Sequence, residues 1–170
     1  MLVLESEASM KARGTKPLAE VVGFGSTCDG THITRPNSAT MKEAMILALK
    51  DANITPKDIG YINAHATATK WGDIAESIAT NELFGEKIAI SSLKSYFGHT
   101  LGACGALESV ISIEMMNDEI FFPTINLVEV DSECAKLDYL RENRAIRTDF
   151  VMNNNFAFGG VNTSLIFKRV

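Results

Sequence analysis

Short apolar, often β-branched runs alternate along this chain with longer stretches whose apolar residues recur at helical spacing. The opening MLVLES is apolar from its first residue and predicts a strand; SEASMKARG predicts a short helix with a serine cap and Gly14 as its stop. PLAEVVGFGSTCD reads as a long strand in which Gly23 and Gly25 suggest a bend or bulge. Segment 29–38 is polar and turn-rich, a loop, and a helix from about Ala39 to Asp51 follows. Met41, Ala44, Met45, Leu47 and Ala48 form its apolar stripe. After the turn TPKD, IGYINAH predicts a buried strand running into His65. ATATKWGDIAESIATNELFG predicts a loop and a helix closed by Gly85; IAIS predicts a strand, and Thr100 to Met116 a helix. The tail differs: FFPTIN is extended, VDSECAKLDYLREN irregular, and VMNNNFAFGGVNTSLIFKR reads as two strands joined by a glycine turn. Strands alternating with helices, then a hairpin, predict α/β layers around a mixed sheet.

A length of 170 residues suits one domain with its own core. A net charge of −5 with no basic run argues against nucleic acid as a partner. No apolar stretch is long enough to span a bilayer, and no signal-peptide pattern appears. Cys28, Cys104 and Cys134 are odd in number and lack CxxC spacing, which fits a reducing, cytoplasmic setting better than a disulfide framework. The apolar start suggests a strand of a sheet begun earlier, so the chain is expected to be the later part of a longer polypeptide. The alternative is a short first strand docked on its own sheet.

Two histidines occupy matching places. His65 and His99 each follow a short apolar strand and precede a helix, so each is expected at a buried strand-to-helix turn. Gly102, Ala103, Gly105 and Ala106 after His99 are small enough to admit another backbone. Strand ends on one edge of a layered fold converge, and two imidazole N–H groups can together hold a developing oxyanion or enolate. Lys94 and Glu108 flank His99 and can pair to fix the site's charge; Thr67 and Thr69 alternate beside His65 and point the same way on extended backbone. A metal set of His32, His65, His99 and Asp73 is the rival, against which stands the absence of HxH or HExxH spacing. Core histidines satisfied by backbone carbonyls remain the other alternative. In NNNFAFGGVN, Phe156 and Phe158 share a face if extended: either both are core or one shields a pocket mouth. The three successive asparagines suggest a polar network that fixes the backbone, or a capped hairpin.

Taken in order, NAHATAT followed by GD, KSYFGHTLGACGALES and NNNFAFGGVNTSLIF resemble three elements of the β-ketoacyl-acyl-carrier-protein synthases of the elongating (FabF/FabB-like) type. MLVLES…KARG, FFPTINL and the DGTHIT loop fall where that family has similar segments, so the resemblance covers almost the whole chain. It implies that residues 1–170 are the C-terminal half of a thiolase-like αβαβα fold, a mixed five-stranded sheet with helices on both faces. It implies decarboxylative Claisen condensation, in which malonyl-carrier protein loses CO₂ and the enolate attacks a cysteine-bound acyl group. His65 and His99 would stabilise the enolate and oxyanion, and Lys94 and Glu108 would organise His99. Thr67 and Thr69 would bind the phosphopantetheine arm, with His32 and Thr34 near the tunnel, Asp73 in support and Phe158 as acyl gate beside Phe156. No cofactor is implied, because phosphopantetheine arrives on the carrier protein.

The sequence departs from the family pattern in places that matter. The family's nucleophile lies in a cysteine-serine turn of the N-terminal half, which this chain lacks, so the chain is expected to be inactive alone. Ala66 stands where the family has glycine, strained if its φ is positive; Ala157 replaces another glycine between the two phenylalanines, and Cys104 an alanine. The expected partners are an acyl carrier protein and the N-terminal half or a partner subunit, within a homodimer. The other reading is a non-catalytic half-domain that binds a partner chain or carrier protein; decarboxylation alone, which needs no nucleophile, is a third. An isolated half would expose an apolar helix face and associate.

Overall fold

The computed structural model describes residues 2–170. Its centre is a sheet in which Ile59–Asn63 (β2), Ala89–Ser91 (β3), Phe150–Phe156 (β7) and Val161–Lys168 (β8) carry the apolar runs of the sequence. Glu20–Cys28 (β1) lies at one edge and the two-residue Asp138–Tyr139 (β5) at the other, giving the order β1-β8-β7-β2-β3-β5. β1, β8 and β7 pair antiparallel, whereas β7, β2, β3 and β5 pair parallel, so the sheet is mixed as expected. It has six strands and not five. The sixth falls in the polar stretch that reads as irregular, and only Ala89↔Asp138 and Ile90↔Tyr139 hold it.

Alternation along the strands sends side chains to two separate cores. Ile62, Met152 and Ile166 face Ser38–Asp51 (α2) and Lys70–Phe84 (α3); Tyr61, Val151 and Phe167 face Cys104–Asp118 (α5). Each such side chain taken out of water contributes on the order of 2 kcal/mol, and covering both faces of a mainly parallel sheet follows from that. α2 presses on β1 so closely that a Cβ on Gly25 would lie 2.0 Å from the Ala44 carbonyl oxygen. The bulge expected near Gly23 is present as a register shift between Val21 and Gly23.

Several local expectations fail. Met1, where the expected first strand opens, lies outside the described residues, and Leu2–Glu5 form no strand; Val3 and Leu4 are exposed. They pair with neither edge strand of the sheet. Glu7–Arg13 (α1) does form, capped by the Ser6 side chain and stopped by Gly14 at φ 67°. In α2 the buried stripe takes Leu49 in place of Leu47. The helix expected from Thr100 begins at Cys104, because a 3₁₀ turn Leu101–Ala103 takes its first residues; a short helix Lys94–Phe97 (α4) precedes them. A two-stranded ribbon, Ile120–Phe121 (β4) with Arg144–Ala145 (β6), closes the α5 side.

Candidate active site

The parallel strands β2, β3 and β7 all end on one edge, and the segments leaving them meet there. His65 follows β2 by two residues. His99 lies beyond β3 and α4. Their rings approach edge to face, 5.2 Å between centroids and 87° between planes, and the Phe156 ring lies 6.3 Å from His65. One expectation is corrected: His65 is half-buried but His99 is exposed, because α4 carries the chain outward before the turn.

Each ring is held by its own loop. The N–H groups of His65 and Ala66 donate to the two oxygens of Glu76 at 2.9 and 2.8 Å, so one carboxylate from α3 forks across successive amides. Ser92 Oγ donates to the Ala66 carbonyl at 2.9 Å and ties the two loops together. The Leu101 N–H donates to His99 Nδ1 at 3.3 Å, which leaves the His99 proton on Nε2. Burial, then the nearby Lys94 ammonium and His99, push His65 down to about 3, so its imidazole is neutral at physiological pH. Its Nδ1 is buried without a protein partner. Neutral rings that present N–H groups are what oxyanion stabilisation requires.

Beneath the histidines lies a buried ion pair. Lys94 Nζ meets Glu108 Oε1 at 2.5 Å, with side-chain exposures of 4% and 0%. Glu108 also accepts from Cys104 Sγ at 3.3 Å and from Asn155 Nδ2 at 3.1 Å, so both carboxylate oxygens are engaged. Burial and the Glu108 carboxylate push the Cys104 thiol up. The three asparagines divide by strand alternation. Asn153 and Asn155 reach α5 at Gly105, Ser109 and Glu108, whereas Asn154 turns to the α2 side, accepting from Ser164 Oγ at 2.8 Å. Asn63 joins them, donating to Asn153 Oδ1 at 2.7 Å and accepting from the Leu93 N–H. This network fixes the helix and the ion pair more than it fixes the hairpin.

The Thr67 and Thr69 hydroxyls face the same way, 3.0 Å apart, at the mouth of a cavity of about 690 Å³ that also takes in Lys94, His99 and Asp73. Burial raises Asp73, against backbone N–H groups of the Thr67–Thr69 loop that lower it. The cavity lining does not include His65 or Glu108, which lie behind it, nor His32, Thr34, Phe156 or Phe158. The phenylalanines divide: Phe156 ends β7 in the core, and Phe158 is 73% exposed on a turn where Gly159 and Gly160 have φ 77° and 80°. A Cβ on Gly160 would also meet the Asp29 carboxylate at 2.3 Å. The His32 loop is pinned to that turn by the Gly159 N–H on the Ile33 carbonyl, and Thr34 N–H donates to His32 Nδ1. His32, Thr34 and Phe158 therefore form an outer rim. Among the described residues no group of three His, Cys, Asp or Glu side chains is arranged to hold a metal.

Ala66 and Ala157 are not strained. Ala66 is absent from the positive-φ residues, and Ala157 is extended at φ −94°. The left-handed non-glycine residues beside the two histidines are Ala68 at φ 59° and Leu101 at φ 53°. Glu76 is the residue that sequence reasoning missed. It is 3% exposed, pushed up to about 7 by burial against the two N–H bonds that lower it. Its signal was present: it lies three residues after Asp73 and three before the buried Ala79, a charge on the core stripe of α3.

With this geometry in place, the comparisons with known proteins are specific. Residues 18–128 match the family model for the β-ketoacyl synthase C-terminal domain. The 3-oxoacyl-[acyl-carrier-protein] synthase 2 of Coxiella burnetii is 42% identical over 99% of this chain and 42% of its own length. Among solved structures, a β-ketoacyl synthase from Burkholderia phymatum superposes with a TM-score of 0.96 at 59% identity, covering 98% of this chain and 41% of that one. A ketosynthase solved in complex with its type II polyketide acyl-carrier protein gives a TM-score of 0.91 at 33% identity, covering 98% of this chain and 42% of that one. The chain spans about two-fifths of the length of the curated relatives it matches.

Proposed function

This chain belongs to the β-ketoacyl synthase family, as its C-terminal domain, and from that premise we propose that it provides the enolate- and oxyanion-stabilising half of a 3-oxoacyl-[acyl-carrier-protein] synthase. The observation that carries the reading is the pair of imidazoles 5.2 Å apart above a buried Lys94–Glu108 pair. When malonyl-carrier protein loses CO₂, negative charge grows on the thioester oxygen. N–H groups of His65 and His99 held side by side in this way would stabilise that charge with little reorganisation, which is where most of such catalysis resides. Lys94 and Glu108 hold α4 and α5 in register, and the Lys94 ammonium adds to burial in disfavouring the imidazolium form of His65. Thr67 and Thr69 offer hydroxyls to an amide of the pantetheine arm, and Phe158 stands at the rim as a gate. The chemistry needs no cofactor, because the reacting carbon arrives as a thioester.

The acyl-accepting thiolate belongs, in this reading, to a chain segment beyond these residues. Cys104 is fully buried against a carboxylate and Cys134 is raised by burial, so neither is set up as a nucleophile; Cys28 is exposed at the end of β1, outside the cavity lining. The nucleophile-bearing half would dock on α5. Leu101 (70% exposed) precedes that helix, and its outer face carries Leu107 and Val110 with Gly102, Ala103 and Ala106 all open to solvent. In this chain the small residues meet no other backbone, and a second layer placed there would cover a continuous apolar surface. The same face would serve a half-domain that only binds a partner, so activity must decide. In the assembly carrying the nucleophilic cysteine, His99→Ala should cut CO₂ release from malonyl-carrier protein by about 10²–10³-fold. Unchanged release would leave the partner-binding reading standing and end the catalytic one.

A further inference from the structure

Trp71, the chain's single tryptophan, stands 52% exposed on the first turn of α3, two residues beyond the Thr69 hydroxyl at the cavity mouth. Two cations reach its ring: Arg35, from the His32 loop, with Cζ 5.5 Å from the centroid, and Lys70 with Nζ 5.6 Å away. Like charges drawn to one exposed indole repel each other unless something anionic lies between or beside them. Lys70 has its counter-ion, Glu133 at 2.5 Å, with Asp131 contributing at longer range. Arg35 forms no ion pair among the described residues. Asp73 lies against the backbone N–H groups of the Thr67–Thr69 loop, which lower it. In a chain of net charge −5, Arg35 is thus an uncompensated guanidinium at the rim of the candidate site.

The loop that carries it is fastened on both sides. Asp29 accepts from the Thr31 N–H and hydroxyl at 2.8 and 2.7 Å and from Thr40, and the Ile33 carbonyl accepts from Gly159. A guanidinium held over an aromatic ring keeps its N–H edge free, and that edge matches the oxygens of a phosphate bidentately. On the reading given above, the thiol end and amides of a pantetheine arm lie inward of Thr67 and Thr69, so its phosphodiester must sit outside them. We propose that Arg35, seated on Trp71 and assisted by Lys70, binds the phosphodiester of a carrier-protein-borne pantetheine arm at this mouth and thereby selects arms that carry the phosphate.

Trp71 reports on its own site, since no other tryptophan emits. Its fluorescence should be titrated in this chain with 4′-phosphopantetheine and with pantetheine, which lacks the phosphate, and both affinities checked by calorimetry. The phosphorylated arm should bind at least about tenfold tighter, equivalent to about 1.4 kcal/mol. That advantage should shrink as salt rises to about 0.15 M, where charges are screened over about 8 Å. Arg35→Gln should bring the ratio close to one while leaving pantetheine affinity unchanged, Lys70→Gln should lower it less, and the remote Lys57→Gln should not move it. Equal affinity for the two compounds, or a ratio that survives Arg35→Gln, overturns the phosphate clamp and leaves the arm-binding reading intact. Failure of both compounds to bind, or binding of both that Thr67→Val does not weaken, ends the arm-binding reading and the clamp with it.

Discussion

Replacing Glu108 by leucine should cost about 3–5 kcal/mol of folding stability, the penalty of leaving a buried charge without its partner. The geometry puts this site at the high end of that range. Glu108 is 0% exposed and its carboxylate serves Lys94 at 2.5 Å, Cys104 at 3.3 Å and Asn155 at 3.1 Å, so one substitution strands three donors. The Lys94 side chain is 4% exposed, so little water reaches it to replace the carboxylate. For a urea slope of about 2 kcal/mol/M, a loss of about 4 kcal/mol moves the unfolding midpoint down by about 2 M. The double variant Lys94→Met/Glu108→Leu should recover most of that loss, because a well-packed apolar pair replaces the ions at little net cost. The two midpoints, measured by circular dichroism with matched slopes, decide the matter. A single variant within about 1 kcal/mol of the parent, or a double variant no better than the single, would refute the claim that burial makes this pair interdependent.

Nitrogen-15 spectra of the histidines should show His65 neutral from pH 5 to 9, and the neutral His99 ring should carry its proton on Nε2, since Nδ1 accepts from the Leu101 N–H. Because His65 falls from 6.5 to about 3 on folding, the unfolded state binds more protons between those values and stability declines as pH drops through that window. Glu76 acts in the opposite sense: raised from 4.5 to about 7, it makes the folded state the better proton binder, and stability declines as pH rises through that interval. Urea midpoints from pH 4 to 8 should therefore lose their acid limb in His65→Gln and flatten toward pH 7 in Glu76→Gln. Ala68→Gly should raise stability by about 0.5–1 kcal/mol by relieving a left-handed alanine, whereas Ala66→Gly should not raise it; thermal melts of the pair test the assignment. Gly25→Ala should do the opposite and destabilise by about 3 kcal/mol or more, read from the same melts, since the new methyl would meet the α2 backbone at Ala44 and Ala48.

Most of the sheet was legible because period-2 alternation in the central strands decides which side chain enters which core. Ile59–Asn63, Ala89–Ser91 and the closing hairpin needed nothing beyond their own residues. β5 was illegible for the converse reason: a two-residue strand in a polar stretch is held by its neighbour's free edge, a tertiary fact. His65, His99, Lys94 and Glu108 could be picked out by residue type and position, but their contacts could not. The exposure of His99 depends on α4, a single turn with too few residues to announce itself. Glu76 reads as solvent-facing by residue type alone, and only its spacing to Ala79 on the core stripe of α3 marks it.

The same contacts separate what this chain builds for itself from what it leaves open. Glu76 fixes the His65 loop, Leu101 fixes the His99 tautomer, and the asparagine network fixes α5 beneath both; all of these groups lie within the described chain. The open side of α5 carries Leu101, Leu107 and Val110, all exposed and all apolar. Histidine donors set in place before a wall is closed are worth most after closure, because their attraction for a growing negative charge strengthens as water leaves. An assembly that covers α5 would therefore raise the catalytic value of a histidine pair it need not rearrange. The spacing of His65 and His99 should be the same with and without the partner half, and only their exposure should change.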